Sequence, residues 1–262
     1  MHGIVLDPKR TTRTLFTVLA ILVALSLFTS FCHLVLHWRV EALTMLADLD
    51  TEANLPTLYN VLLFFLGAVL FLLHGREVPA KAARGWKTMA GVFLFLGVDE
   101  GSQIHEKFMQ FTKRLLAGSG GNTLGGWFHY AWVIPYGLAA IVLAVVLLRW
   151  IMGLSPSLRK RLVASGILYV FGAVFMEMAG GKLIEGLTPV DPANYPWMPC
   201  RVFGDVSDCW IFMDPRYIAM YTVEETCEMA GLILCIRALL IELADRRKQL
   251  VLAILPTEEA AR

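Results

Sequence analysis

Carboxylates placed inside apolar runs are the residues of this sequence with the most chemistry to offer. The string GVDEGSQIHEKF carries Asp99, Glu100, His105 and Glu106, FMEMAGGKLIEG carries Glu177 and Lys182, and TVEETCEMAG carries Glu224, Glu225 and Glu228. A charged group at the centre of a membrane helix costs roughly 2.5–3.5 kcal/mol, so such groups are rare and usually functional. Their mutual repulsion must be relieved by protons, cations or a metal. Carboxylates with histidine make a ligand set that suits Fe, Mn or Zn. On that reading Asp99, Glu100, His105, Glu106, Glu177, Glu224, Glu225 and Glu228 are the metal-ligand candidates. Glu100, Glu106 and Glu225 are the candidates for a catalytic general base, and Lys182 is expected to neutralise one carboxylate.

Helical phase refines the expectation. At about 100° per residue, Asp99, Gln103 and Glu106 share one face of a continuous helix, and His105 points well away from Asp99. Glu224 and Glu228 share a face, and Glu225 lies one turn from Glu228. Gly180 and Gly181, one turn beyond Glu177, allow another backbone to come close. Helical bundles that bind two metals use inward Glu residues with Glu-x-x-His pairs. This chain has Glu-x-x-Glu at Glu225 and Glu228 but no Glu-x-x-His, a departure from the dinuclear pattern.

The elements that carry these residues are read from hydropathy. Of 262 residues 57% are hydrophobic and 17% charged, more apolar and less charged than a soluble domain. A net charge of +1 gives no field for nucleic acid. Apolar stretches predict an all-α, polytopic bundle: one membrane domain over 1–262 with spans at about 14–36, 57–74, 88–108, 128–149, 162–184 and 217–243, and a long outer loop at 185–216. The first stretch is too long for a signal h-region and no A-x-A site follows it. Lys and Arg fill the segments before the first span, after the second, after the fourth and after the sixth. Asp and Glu dominate the first and fifth connections. This alternation places both termini in the cytoplasm. From Lys87 to Val98 is only about 18 Å of helix against a core of about 30 Å, so the acidic segment is expected to complete the third span. With this orientation all three acidic segments fall in the outer half of the membrane, which predicts convergence on one buried site opening outward.

The D-E-x4-H-E string from Asp99 to Glu106, the aromatic segment GGWFHYAWVIPYG around Trp127 to Tyr136, and the E-E-x-x-E run from Glu224 resemble features of uncharacterised bacterial multi-pass membrane proteins. The resemblance covers the third to sixth spans. It implies a bacterial inner-membrane location and carries no mechanism.

No P-loop, dinucleotide fingerprint, HExxH or CxxC string is present. His33 and His37 form H-x3-H, read as an interfacial pair. Trp and Tyr residues including Trp132 and Tyr217 fit an interfacial aromatic belt. Cys200 and Cys209 in the outer loop are expected to form a disulfide in an oxidising compartment. Two functional classes follow, besides a structural subunit whose acids pair with a partner's basic helix. One is a metal-dependent membrane enzyme, hydrolase or oxidase, acting on a lipid or other apolar substrate. The other is a transporter that binds its driving proton or cation on the same acids.

Overall fold

The computed structural model describes residues 3–38, 40–117, 126–187, 214–247 and 251–253. Among the described residues the regular structure is helical apart from two three-residue strands, β1 (Gly3–Val5) and β2 (Val251–Ala253), which pair antiparallel. The helices are α1 (Pro8–Phe31, running on as a π-helical turn at Cys32–Leu36), α2 (Glu41–Ala47), α3 (Leu55–Arg76), α4 (Ala80–Ser102), α5 (Ile104–Ala117), α6 (Val133–Met152), α7 (Pro156–Val170), α8 (Glu177–Glu185) and α9 (Pro215–Arg247). A π-helical segment at Phe171–Met176 joins α7 to α8 without a break in the rod.

Local chemistry sets the helix starts. Asp7, Asn54 and Ser155 each accept a backbone N–H of the first turn at the starts of α1, α3 and α7, and Pro8, Pro56 and Pro156 stand in those first turns. Such caps satisfy amides that a helix start leaves orphaned, and proline needs no partner there.

Four helical stretches are long and apolar enough to cross a membrane: Pro8–Leu36, Leu55–Arg76, Val133–Met152 and Pro156–Glu185. Two further long helices, α4 with 23 residues and α9 with 33, carry the charged residues that lower their hydropathy. The α6 helix turns Leu138, Ile141, Val142, Val145 and Val146 outward, a surface that suits lipid.

The core is built around α9 and the α3–α4 hairpin. Met229, Ile233, Ile236, Leu239, Leu240 and Leu243 of α9 are buried with Phe64 and Phe71 of α3 and Trp86 of α4. Without a hydrophobic force between lipid-immersed helices, close packing must supply the cohesion, and small residues allow it. Gly67 and Gly97 face Phe93 and Phe65 across the α3–α4 hairpin, and Gly231 faces the backbone of Tyr169 and Ser165 on α7.

The third predicted span differs from the structure. The helix begins at Ala80, earlier than expected, and ends at Ser102, because Gln103 takes a left-handed conformation with φ of 57°. The α5 helix that follows is a separate element, with Phe108, Phe111, Leu115 and Leu116 exposed. Asp99, Gln103 and Glu106 therefore do not share a face of one straight helix. The break also reverses the expectation for His105, which it folds back onto Asp99.

Candidate functional site

A cavity of about 830 Å³ lies between the acidic ends of the long helices. Its wall includes Asp99 and Glu100 of α4, Gln103, His105 and Glu106 at the helix break, Glu177 of α8, and Glu224, Glu225 and Glu228 of α9. The three acidic segments recognised in the sequence thus meet on one volume. Lys182 does not belong to it. Its side chain is exposed, near Gly126 and Glu185, so the expected neutralisation of a cavity carboxylate is not made.

Two further carboxylates on the wall were read in the sequence only as marks of orientation. Asp50 and Glu52 sit in the short connection before α3. Asn54 shapes that connection by donating from Nδ2 to the carbonyls of Asp48 at 2.6 Å and Thr51 at 2.7 Å. The Leu49 amide donates to Ser26 of α1 at 3.2 Å, which ties the connection into the bundle. Burial pushes the Asp48 carboxyl up to about 6. It pushes Asp50 up to about 8, helped by the charge of Asp48 and opposed by a hydrogen bond from Tyr217. The signal available in the sequence was the spacing Asp48-x-Asp50-x-Glu52 in a connection too short to stand clear of the helices.

Hydrogen bonds fix several wall residues. Asn60 of α3 donates to Glu100 Oε1 at 3.0 Å, and Trp132 donates from Nε1 to Glu177 Oε1 at 3.0 Å. The His105 amide donates to Asp99 Oδ1 at 2.8 Å, which caps α5 from the preceding helix. The His105 ring then lies between two acids, with Nε2 3.4 Å from Glu52 and Nδ1 3.6 Å from Asp99. Tyr217 donates its hydroxyl to Asp50 Oδ1 at 2.8 Å, and the Tyr130 hydroxyl lies 3.3 Å from that of Tyr217. The π-helical segment before Glu177 presses Gly172 against α9, where an added Cβ would come within 2.7 Å of the Glu224 carbonyl and 2.9 Å of Glu228 Cγ. Single π turns of this kind recur at functional sites.

Six aromatic residues complete the wall: Tyr130, Trp132, Tyr136, Tyr169, Tyr217 and Tyr221. Trp132 and Tyr217, assigned from sequence to an interfacial belt, face this cavity. The rings of Trp132 and Tyr136 meet edge-on at 5.4 Å, and His105 packs 5.1 Å from Trp132. Among the described residues no Lys or Arg lines the cavity, and no three His, Cys, Asp or Glu side chains are gathered closely enough to hold a metal ion. The expected disulfide partners Cys200 and Cys209 lie outside the described residues, while Cys32, Cys227 and Cys235 are free thiols.

A family model described as a domain of unknown function (DUF8692) matches residues 14–243, and the chain belongs to that family. The matched region contains every residue of the cavity wall. No curated protein and no solved structure matches the chain.

Proposed function

We propose that this DUF8692 member is a six-span protein of the bacterial inner membrane, with both ends cytoplasmic, whose acidic cavity binds a cation in the outer half of the bilayer. The observation that carries the reading is the wall itself. Nine carboxylates from separate stretches of chain face one volume that no described Lys or Arg lines. Side chains assembled this way repel one another, and bound cations or protons are what relieve the repulsion. The pairing of β1 with β2 supports the topology, since an even number of crossings returns both ends to one side.

Within this reading the leading activity is that of a metal-dependent enzyme on a lipid or other apolar substrate. The oxygen donors with His105 match the preferences of Fe, Mn and Zn. A metal held there would act as a Lewis acid or lower the pKa of a bound water. Ligation would require the carboxylates to turn inward from their present positions, since no ready group of three stands at ligand spacing among the described residues. The alternative, a proton-coupled transporter, is favoured by one observation. The hydroxyls of Tyr130 and Tyr217 join Asp50 in a chain along the cavity wall, a relay along which a proton can pass.

The test is cation titration of the full chain in lipid nanodiscs, with Mn²⁺ and Zn²⁺ as probes, alongside elemental analysis of the purified protein. Saturable binding that weakens at least about tenfold in Glu100→Gln and in Glu228→Gln is expected. No saturable binding of any cation at neutral pH would remove the proposal. Uptake driven by a pH gradient, without retained metal, would select the transporter over the enzyme.

A further inference from the structure

The cavity wall carries more information than its charge. A compact inorganic ion needs several donors turned toward one point. The carboxylates here are instead spread around a volume of about 830 Å³, within the range of organic-ligand pockets and many times the share of one water molecule, about 30 Å³. Between the acids stand aromatic rings, above all Trp132 and Tyr136 on one side and Tyr169 and Tyr221 among the long helices. Rings attract an ammonium group through their quadrupole, most strongly where water is excluded.

Glu225 supplies a separate indication. It is a half-buried side chain on the cavity wall, and no hydrogen bond or ion pair from a described residue reaches its carboxylate. The charged groups that act on it most strongly are Glu228, Glu100, Glu177 and Asp50, all acids. A carboxylate so placed calls for a positive charge that no described residue provides.

We propose that the cavity binds an organic cation carrying ammonium groups on an aliphatic chain, with the carboxylates pairing the nitrogens and the aromatic rings packing on the methylenes and ammonium faces. The inference rests on the cation-binding reading and narrows it from any cation to this class. An aliphatic ammonium can be a free polyamine or the headgroup of an amine-bearing lipid. Both offer an N–H donor to Glu225 and an apolar stem to Trp132.

The experiment is calorimetric titration of the full chain in phosphatidylglycerol nanodiscs with spermidine, and separately with Mn²⁺. A parallel arm compares the same protein in nanodiscs containing phosphatidylethanolamine. Saturable spermidine binding is expected, weakened about tenfold by Trp132→Leu but much less by Trp132→Phe, with Mn²⁺ affinity equal in the two variants. Both substitutions lose the hydrogen bond to Glu177, so the difference between them reports the ring alone. Glu225→Gln is expected to weaken spermidine binding further, and circular dichroism melts establish that each variant is folded. Phosphatidylethanolamine that competes with spermidine identifies the lipid headgroup as a source of the ammonium. If it has no effect while spermidine binds, the free amine is the source, and the class stands in either case. Saturable Mn²⁺ binding with none for spermidine or phosphatidylethanolamine would overturn this inference and leave the cation site intact. Binding of no cation would overturn both.

Discussion

The two halves of α9 put one helix to opposite uses. From Tyr217 to Glu228 it presents two tyrosines and three glutamates to the cavity. From Met229 to Leu243 it buries Met229, Ile233, Ile236, Leu239, Leu240 and Leu243 in the core. The polar contacts of that second half lie at its margins: His74 Nε2 of α3 lies 3.1 Å from the Leu239 carbonyl with its ring stacked on Trp86 at 4.5 Å, and Glu242 near the end accepts from Arg246 at 2.8 Å. The contrast shows where cohesion comes from. Like charges cannot hold their own cluster together, so the apolar half must fix the geometry in which the acidic half is held. A cavity rich in carboxylates requires a tightly packed frame beyond it.

Gly231 stands near the boundary and gives the strongest way to break that frame. A Cβ there would come within 2.8 Å of the Tyr169 amide nitrogen and 2.9 Å of the Ser165 carbonyl, backbone atoms that cannot swing aside. Gly231→Val is expected to destabilise the protein by about 3 kcal/mol through overpacking. Gly166→Val, where nothing lies within 4 Å of the added carbon, is expected to leave the thermal midpoint in detergent nearly unchanged. Equal midpoints for the two variants would mean that α7 and α9 are not in close contact.

In the acidic half the sign reverses. Glu228→Gln keeps the shape of the side chain and takes away its capacity to carry a negative charge beside Glu100 and Glu177. It is expected to raise stability by about 1 kcal/mol in the absence of ligand, while weakening cation binding. A lower midpoint for this variant at neutral pH would show that Glu228 is held by a stabilising partner.

The sequence already carried the convergence of the site but not its full membership. Asp99, Glu100, Glu177, Glu224, Glu225 and Glu228 were legible because a carboxylate in an apolar run has no ordinary explanation. Asp50 and Glu52 were not, because acids in a short polar connection look like surface residues until the fold turns that connection inward. The helix break at Gln103 was equally hidden. Hydropathy reports where a helix can lie, whereas a left-handed residue depends on the capping contact between Asp99 and the His105 amide. Tyr169 and Tyr221 could not be told from core aromatics, since helical periodicity does not say whether a buried face meets another helix or a cavity. Lys182 failed in the opposite way. It stands close to Glu177 along the chain, but its side chain projects away from the site.

The connection before α3 offers the finest test of the contrast, because its acids face the cavity from outside the spanning helices. Around Asp50 stand Asp48 on the same connection, Tyr217 of α9 and Glu177 of α8. The Asp50 carboxyl is pushed up to about 8 from its ordinary 3.8. An unfolded chain releases that proton near pH 4, whereas the folded protein keeps it until about pH 8. Between these limits the folded state binds more protons, so stability is greatest on the acid side and falls as pH rises through the window. One proton contributes at most about 1.4 kcal/mol per pH unit. Asp50→Asn removes this contribution, while Asp48, pushed up only to about 6, still titrates in the lower part of the range. The variant is therefore expected to lose stability less steeply than the parent throughout pH 5 to 8, and the slope that it keeps below pH 6 includes the part that Asp48 supplies. Thermal midpoints taken in half-unit steps of pH measure the difference. Parallel profiles from pH 5 to 8 would mean that Asp50 is already ionised in the folded protein, and that the connection before α3 is open to water rather than part of the cavity wall.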